Sequence, residues 1–198
     1  MPELPEVETT KTSLAPLLNK TVKTVQVFQP KLRWQMPDDL QTLAGYRLQN
    51  VERRAKYLIL SFVPSAQLSQ STESNSDSRK LIIHLGMSGR IIIERNKFKP
   101  LQKHDHVSME FIEQNNIKAK VRFIFRDPRR FGFFNIYQNE DNSYKNIFKN
   151  LGPEPLQKSF PVKDFYENIN KKISSIKSLL LNQSIISGLG NIYICESL

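Results

Sequence analysis

Between Thr21 and Tyr137 the chain is cut into short β-rich runs: Thr21–Phe28, Tyr57–Phe62, Leu81–Leu85, Arg90–Glu94, Val107–Ile112, Val121–Phe125 and Phe133–Tyr137. Many short strands at this spacing bury their apolar faces only by closing over one another, which predicts a sandwich or barrel. The flanking text differs. Pro5, Glu6 and Glu8 read as a helix start, because proline needs no amide partner in the first turn and carboxylates suit the positive end of the helix dipole. Val7, Leu14, Leu17 and Leu18 give that helix an apolar side. Leu151-Gly-Pro-Glu-Pro-Leu156 then breaks the chain, since its prolines continue neither a helix nor a strand. Helices are expected afterwards at Phe165–Lys171 and at Ile173–Leu181, the second with Ile173, Ile176, Leu179 and Leu180 on one side. A turn through Ser187-Gly-Leu-Gly190 leads to a last helix from about Asn191, read as stopping inside an element at Leu198. The expected division is residues 1–140, a linker over 141–156, and 157–198. The serine-rich stretch Pro64–Ser78 offers nothing to bury and is expected to be a mobile loop.

Charge narrows the partner. The 29 Lys+Arg against 19 Asp+Glu give a formal net charge of +10, as expected of a protein that meets a polyanion. Hydrophobic residues at 39%, with 12 Phe, suffice for a real core and argue against a disordered basic tail. The single cysteine, Cys195, excludes an internal disulfide and cannot make a thiolate zinc site within this chain. The acidic, non-apolar start reads as neither signal peptide nor anchor, and nothing is long enough to span a bilayer, so the default location is the cytosol.

Several clusters carry possible chemistry. If Met1 is removed, Pro2 becomes a secondary amine with an α-amino pKa of about 8, in part an unprotonated nucleophile at neutral pH. Attack of such an amine on a sugar C1′ yields a cationic iminium, which also acidifies the C2′ proton and permits strand scission. Glu3 is positioned to be the acid for this step, provided burial keeps its proton available; the alternative is that these residues only begin a helix. In Arg53-Arg-Ala-Lys-Tyr57, alternation puts Arg54 and Lys56 on one strand face, towards phosphates or merely as a charged strand edge. His84-Leu-Gly-Met-Ser-Gly-Arg90 and Asp127-Pro-Arg-Arg-Phe-Gly132 are tight turns that expose Met87, Arg129 and Phe131, which suits wedging into a base stack; otherwise they are β-turns with a core Met or Phe. Arg122 and Arg126 add to this basic-aromatic mixture. His104-Asp-His106 has the spacing of two metal ligands without a third, so no metal is expected; a phosphate contact or a buried, hydrogen-bonded histidine is the better pair of readings. In Gly188-Leu-Gly-Asn-Ile-Tyr193, Asn191 bonds a phosphate or simply caps the helix.

Taken in order, Pro2-Glu-Leu-Pro-Glu-Val-Glu-Thr9, Arg53–Tyr57, His84–Gly89, Lys103-His-Asp-His-Val107, Asp127–Gly132, Leu151–Leu156 and Gly188–Tyr193 resemble bacterial formamidopyrimidine-DNA glycosylase over essentially the whole chain. Leu4 resembles this oxidised-purine branch rather than the endonuclease VIII branch, which usually has Gly there. The resemblance implies an α+β fold, an N-terminal two-sheet β-sandwich with flanking helices followed by a partial helix-two-turns-helix domain. It implies a monomeric glycosylase and abasic-site lyase acting on double-stranded damaged DNA, excising 8-oxoguanine and formamidopyrimidines by β,δ-elimination. Pro2 would be the Schiff-base nucleophile, Glu3 the proton donor, and Lys56 the residue serving β-elimination. Met87, Arg129 and Phe131 would fill the gap left by an everted nucleotide. His84, His104, Lys172 and Asn191 would hold the backbone, with Lys177 a weaker candidate. The family's lesion-binding loop and four-cysteine zinc finger have no counterpart in these 198 residues, so no cofactor is expected in this chain, and a DNA-binding relative with little turnover is the alternative function. A generic basic β-module fits the motif order poorly. The serine-rich stretch before Lys80 is longer than the family's usual connection.

Overall fold

The computed structural model describes residues 1–65, 77–113, 116–138 and 142–198. Its frame is an antiparallel ladder of eight strands in the order β5-β7-β6-β1-β2-β3-β4-β8. These are β1 (Thr21–Val27), β2 (Tyr46–Arg54), β3 (Tyr57–Pro64), β4 (Arg79–His84), β5 (Arg90–Arg95), β6 (Asp105–Glu113), β7 (Asn116–Arg126) and β8 (Phe133–Gln138). The ladder is nearly two sheets. β1 and β2 share a single register pair, Thr21↔Arg47, whereas β2 and β3 are paired from Tyr46↔Pro64 to Arg54↔Tyr57. The halves β5-β7-β6-β1 and β2-β3-β4-β8 therefore fold over each other as layers. Val22, Met109, Phe111, Phe123 and Phe125 of one half and Leu48, Leu58, Leu60, Phe62, Leu81 and Phe134 of the other form one buried cluster.

β2 is the strand that periodicity did not predict. After Tyr46 and Leu48 its residues Gln49, Asn50, Glu52, Arg53 and Arg54 are polar, and a register shift interrupts it between Leu48 and Asn50. Pairing with β3, rather than its own burial pattern, makes it a strand. The sequence reading also misplaced Arg54 and Lys56. Arg54↔Tyr57 closes the β2–β3 hairpin, so Ala55 and Lys56 form its turn instead of continuing a strand face.

Helix α1 (Leu4–Ser13) starts at the predicted prolines and buries Leu4 and Val7, while Leu14 and Leu17 beyond it are also buried and Leu18 is exposed. The later helices are α2 (Val162–Asn170), α3 (Ile176–Leu181) and α4 (Asn191–Ser197). α3 is shorter than expected because Ser175 caps it, its Oγ accepting from the Ser178 amide at 3.3 Å; this leaves Ile173 outside the helix and fully exposed. The mobile loop expected over Pro64–Ser78 falls mostly on residues 66–76, outside the described residues. Among the described residues no helix is long and apolar enough to cross a membrane.

Candidate active site and nucleic-acid interface

The N-terminal residues are stitched to the opposite end of the chain. Leu4 donates its amide to the Gly188 carbonyl at 3.0 Å. Glu3 is almost completely buried, and its carboxylate receives the amides of Gly190 at 2.8 Å, Ile192 at 2.8 Å and Tyr193 at 3.3 Å. It thus satisfies the unpaired first-turn donors of α4, the favourable place for an acidic group. The helix cap that was the alternative role read for Asn191 is supplied by Glu3 across the fold, and Gly190 occupies the N-cap position. Only glycine fits there, since a Cβ on residue 190 would lie 2.4 Å from the Glu3 carboxyl carbon. Glu6 braces the same corner: its carboxylate accepts from the Glu3 amide at 2.9 Å and from the Tyr193 hydroxyl at 3.1 Å.

A cleft of about 430 Å³ opens beside this junction, with Met1, Lys56, His84, Gly190 and Asn191 among its walls. Pro2, half-buried, lies between Met1 and the buried Glu3. Lys56 is carried on the hairpin turn and is itself buried; burial pushes its ammonium below the ordinary lysine value, with the Glu3 charge opposing. Burial, reinforced by the Lys56 charge, pushes His84 down to about 4. Its ring is therefore neutral near pH 7. Nδ1 accepts from the Gly86 amide at 3.0 Å, which leaves the proton on Nε2 as a donor.

The turn carrying Lys56 is held in an unusual shape. Ala55 has φ +52°, in the left-handed region, and donates its amide to Glu154 at 2.5 Å. Glu154 is buried and also pairs with Arg53 at 2.7 Å and Arg54 at 3.3 Å; burial alone would raise its carboxyl, but Arg53, the Ala55 amide and Arg54 together hold it below the usual value. Arg54 reaches further, donating to the Gly152 carbonyl at 2.7 Å and to Ser187 at 2.9 Å. It is spent on internal contacts rather than aimed at phosphates. The sequence reading treated Leu151–Leu156 as punctuation and missed Glu154. The available signal was a carboxylate set between two prolines, opposite an Arg-Arg pair that needs a counter-charge.

The two glycine turns meet next to His84. A Cβ on Gly86, whose φ is +68°, would fall 2.4 Å from the Phe131 backbone. Asp127, fully buried, ties them: its carboxylate accepts from Ser88 Oγ at 2.5 Å and from the Gly132 amide at 2.7 Å, and Ser88 Oγ accepts from the Arg129 amide at 3.1 Å. On this clasp Met87 and Arg129 are exposed, Phe131 is half-buried, and the Arg129 guanidinium lies 5.1 Å over the Phe131 ring. None of the three is a core residue. Arg122 and Arg126, by contrast, pair internally with Glu94 and Asp105.

The histidine pair divides. His106 is buried and donates Nε2–H to the Asp127 carbonyl at 2.7 Å. His104 is half-buried, and its Nδ1 has no hydrogen-bond partner among the described residues. Lys172 and Lys177 are exposed near α2 and α3, apart from the cleft residues. Among the described residues no three His, Cys, Asp or Glu side chains are grouped to hold a metal ion, and one cysteine cannot form a four-cysteine zinc site.

Known proteins share this arrangement. Residues 1–134 match the family model of the formamidopyrimidine-DNA glycosylase N-terminal domain, and residues 151–198 match that of the formamidopyrimidine-DNA glycosylase H2TH domain. The chain is similar along 100% of its length to the formamidopyrimidine-DNA glycosylases of Psychrobacter arcticus, at 44% identity, and Acinetobacter baylyi, at 40%. It spans 69% and 64% of those two proteins. Among solved structures, Lactococcus lactis Fpg bound to an abasic-site-containing DNA superposes with a TM-score of 0.77 at 30% identity, covering 97% of this chain and 64% of that one. The same protein with a DNA containing N7-benzyl-Fapy-dG gives 0.78 at 31% identity, covering 98% and 65%. With both of its regions matched in sequence, and the first and last residues meeting at one buried carboxylate, the chain belongs to the formamidopyrimidine-DNA glycosylase family.

Proposed function

We propose that this chain carries the excision chemistry of a base-excision repair glycosylase with abasic-site lyase activity, acting as a cytoplasmic monomer on oxidised purines in double-stranded DNA. The observation that supports it most is the convergence of the N-terminus, Lys56, His84 and Asn191 on one cleft, from segments far apart in sequence. In this reading the Pro2 nitrogen attacks the sugar C1′, and the damaged base leaves with its electron pair and is protonated by water. The proton released by the Pro2 amine passes through the Glu3 carboxylate to O4′ as the C1′–O4′ bond breaks and the sugar ring opens. The resulting iminium acidifies the C2′ proton. Lys56, a larger share of which burial leaves unprotonated, removes it as the 3′ C–O bond breaks. His84 donates Nε2–H to a phosphate without bringing charge, while Asn191 and His104 bind neighbouring phosphates. Lys172, and more weakly Lys177, extend the basic surface.

Borohydride trapping on an 8-oxoguanine or abasic duplex tests this. Protein with Pro2 at its terminus should form the covalent adduct, and protein retaining Met1 should not, because an amide nitrogen is not a nucleophile. Equal adduct from both would remove Pro2 from the mechanism. A second reading, association with DNA but little turnover, is favoured by the exposed Leu181 and Ile192 on the helical side. DNA binding without any adduct from the processed form would select it.

A further inference from the structure

The segment between β1 and the short 3-10 turn at Leu40–Leu43 is built as a strap. Leu32 and Met36 are both buried and pin it to the core. Met36 donates to the Pro30 carbonyl at 2.8 Å, Leu32 to the Trp34 carbonyl at 3.1 Å, and Lys31 bridges to Gln35. Its two outer bonds reach the interface already described: Phe28 donates to the His106 carbonyl at 2.8 Å, and Arg33 to the Arg130 carbonyl at 2.6 Å. That second bond grips a residue in the left-handed region, since Arg130 has φ +57°. The Arg33 guanidinium also lies 5.7 Å over the Phe131 ring.

What the strap presents outward has no structural explanation in the core. Trp34 is 58% exposed on a tight turn, flanked by exposed Lys31 and Arg33. No acidic residue occurs from Phe28 to Pro37. Beside it stands the exposed Arg130, whose carbonyl the Arg33 amide reaches. A rigid indole among cations, joined through Arg33 to Arg130 and Phe131, is complementary to a polyanion that also offers π-faces and sugar edges.

We infer that residues 28–36 are a nucleic-acid-contacting strap that extends the Met87–Arg129–Phe131 clasp along the duplex, with Trp34 seated against the nucleic acid and Arg33 a positioning residue for Phe131. This rests on the reading of the clasp as a DNA interface. Its recognition chemistry is stacking and phosphate pairing, and its occupant is double-stranded DNA on either side of the disturbed pair.

Trp34 is the only tryptophan of the chain, so its fluorescence reports on the strap alone. The experiment titrates the protein with a dye-labelled duplex containing a tetrahydrofuran abasic analogue, reading anisotropy together with acrylamide quenching of Trp34. The quenching constant should fall several-fold as the anisotropy saturates. Trp34→Ala should weaken duplex binding about tenfold, as expected for a lost aromatic contact, and Trp34→Phe should recover most of it. Arg33→Ala and Arg33→Lys should both reduce the preference for the abasic over the intact duplex, because a lysine keeps the charge but not the planar stack. Saturating anisotropy with unchanged quenching would overturn the strap while leaving the DNA reading intact, and an unchanged abasic preference in both Arg33 variants would overturn the positioning role. Absence of any anisotropy change would sink the DNA reading and the strap together.

Discussion

The sheet region and the helical region hold together by different physics. In the first, the buried cluster runs from Val7 to Phe134, so the sandwich is held by apolar area shared among many side chains. In the second, α2 buries nothing, and Leu179, Ile186 and Ile194 are the buried apolar residues among the helices and turns beyond Leu156. That region is instead docked by bonds addressed to single atoms: Gly152 to the Gln183 carbonyl, Arg54 to Ser187, and Glu3 to the first amides of α4. Apolar burial tolerates small displacement. Directional polar docking does not, which suits a junction that must hold the N-terminus against Lys56 and Asn191.

The contrast can be tested. The largest effect is expected from Phe123→Ala, fully buried in the sandwich, which should cost about 3–5 kcal/mol and lower the melting temperature by on the order of 10 °C. An unchanged melting curve would show that the cluster is not what holds the sheet region. Glu154→Ala should come next, at about 3 kcal/mol, because it strips the half-buried Arg53 and Arg54 of their buried counter-charge. Hydrogen exchange should then reveal lost protection in α3 and α4 while β3 and β4 stay protected. Uniform loss across both regions would abolish the distinction drawn here.

A smaller effect concerns acid. His84 is neutral in the folded chain down to about pH 4, whereas the unfolded chain takes up that proton from about pH 6.5 downward. The unfolded state binds more protons in this window, so the His84 contribution is fully present above about pH 6.5 and is lost as the pH falls towards 4. Denaturation midpoints measured across that range should show a shallower slope for His84→Gln than for the unaltered protein; identical slopes would mean that another group governs the response. The smallest expected change is Lys172→Ala with Lys177→Ala. These exposed lysines should leave stability within about 0.5 kcal/mol, yet each should reduce the salt slope of DNA binding by about one. A clear loss of stability would place them in the docking surface.

Legibility in the sequence followed the kind of force at work. Strands such as β3 and β7 were readable because apolar β-branched and aromatic residues advertise burial. β2 was not, because its polar second half becomes a strand only by pairing. The beginning of α4 was legible from Gly190-Asn191, but its cap was not, because the partner carboxylate lies 187 residues away. Met87, Arg129 and Phe131 were found through the glycines beside them. Asp127, which ties those turns, left no signal beyond being a carboxylate before a proline. Arg54 was read as facing phosphates or guarding a strand edge, and is neither, because sequence shows a charge and not the direction in which it is spent.

The Glu3–α4 contact also sets a timetable. A ribosome adding about 5–20 residues per second completes Gly190–Tyr193 roughly ten to forty seconds after Glu3 is made. Throughout that interval the amides that receive the Glu3 carboxylate do not exist. Removal of Met1, which the proposed role of Pro2 requires, would meet an undocked Glu3 if it occurred during translation. Once α4 docks, residue 3 is only 1% exposed, and the terminus is moored. A molecule that kept Met1 would have its fold complete and its Pro2 nitrogen still an amide.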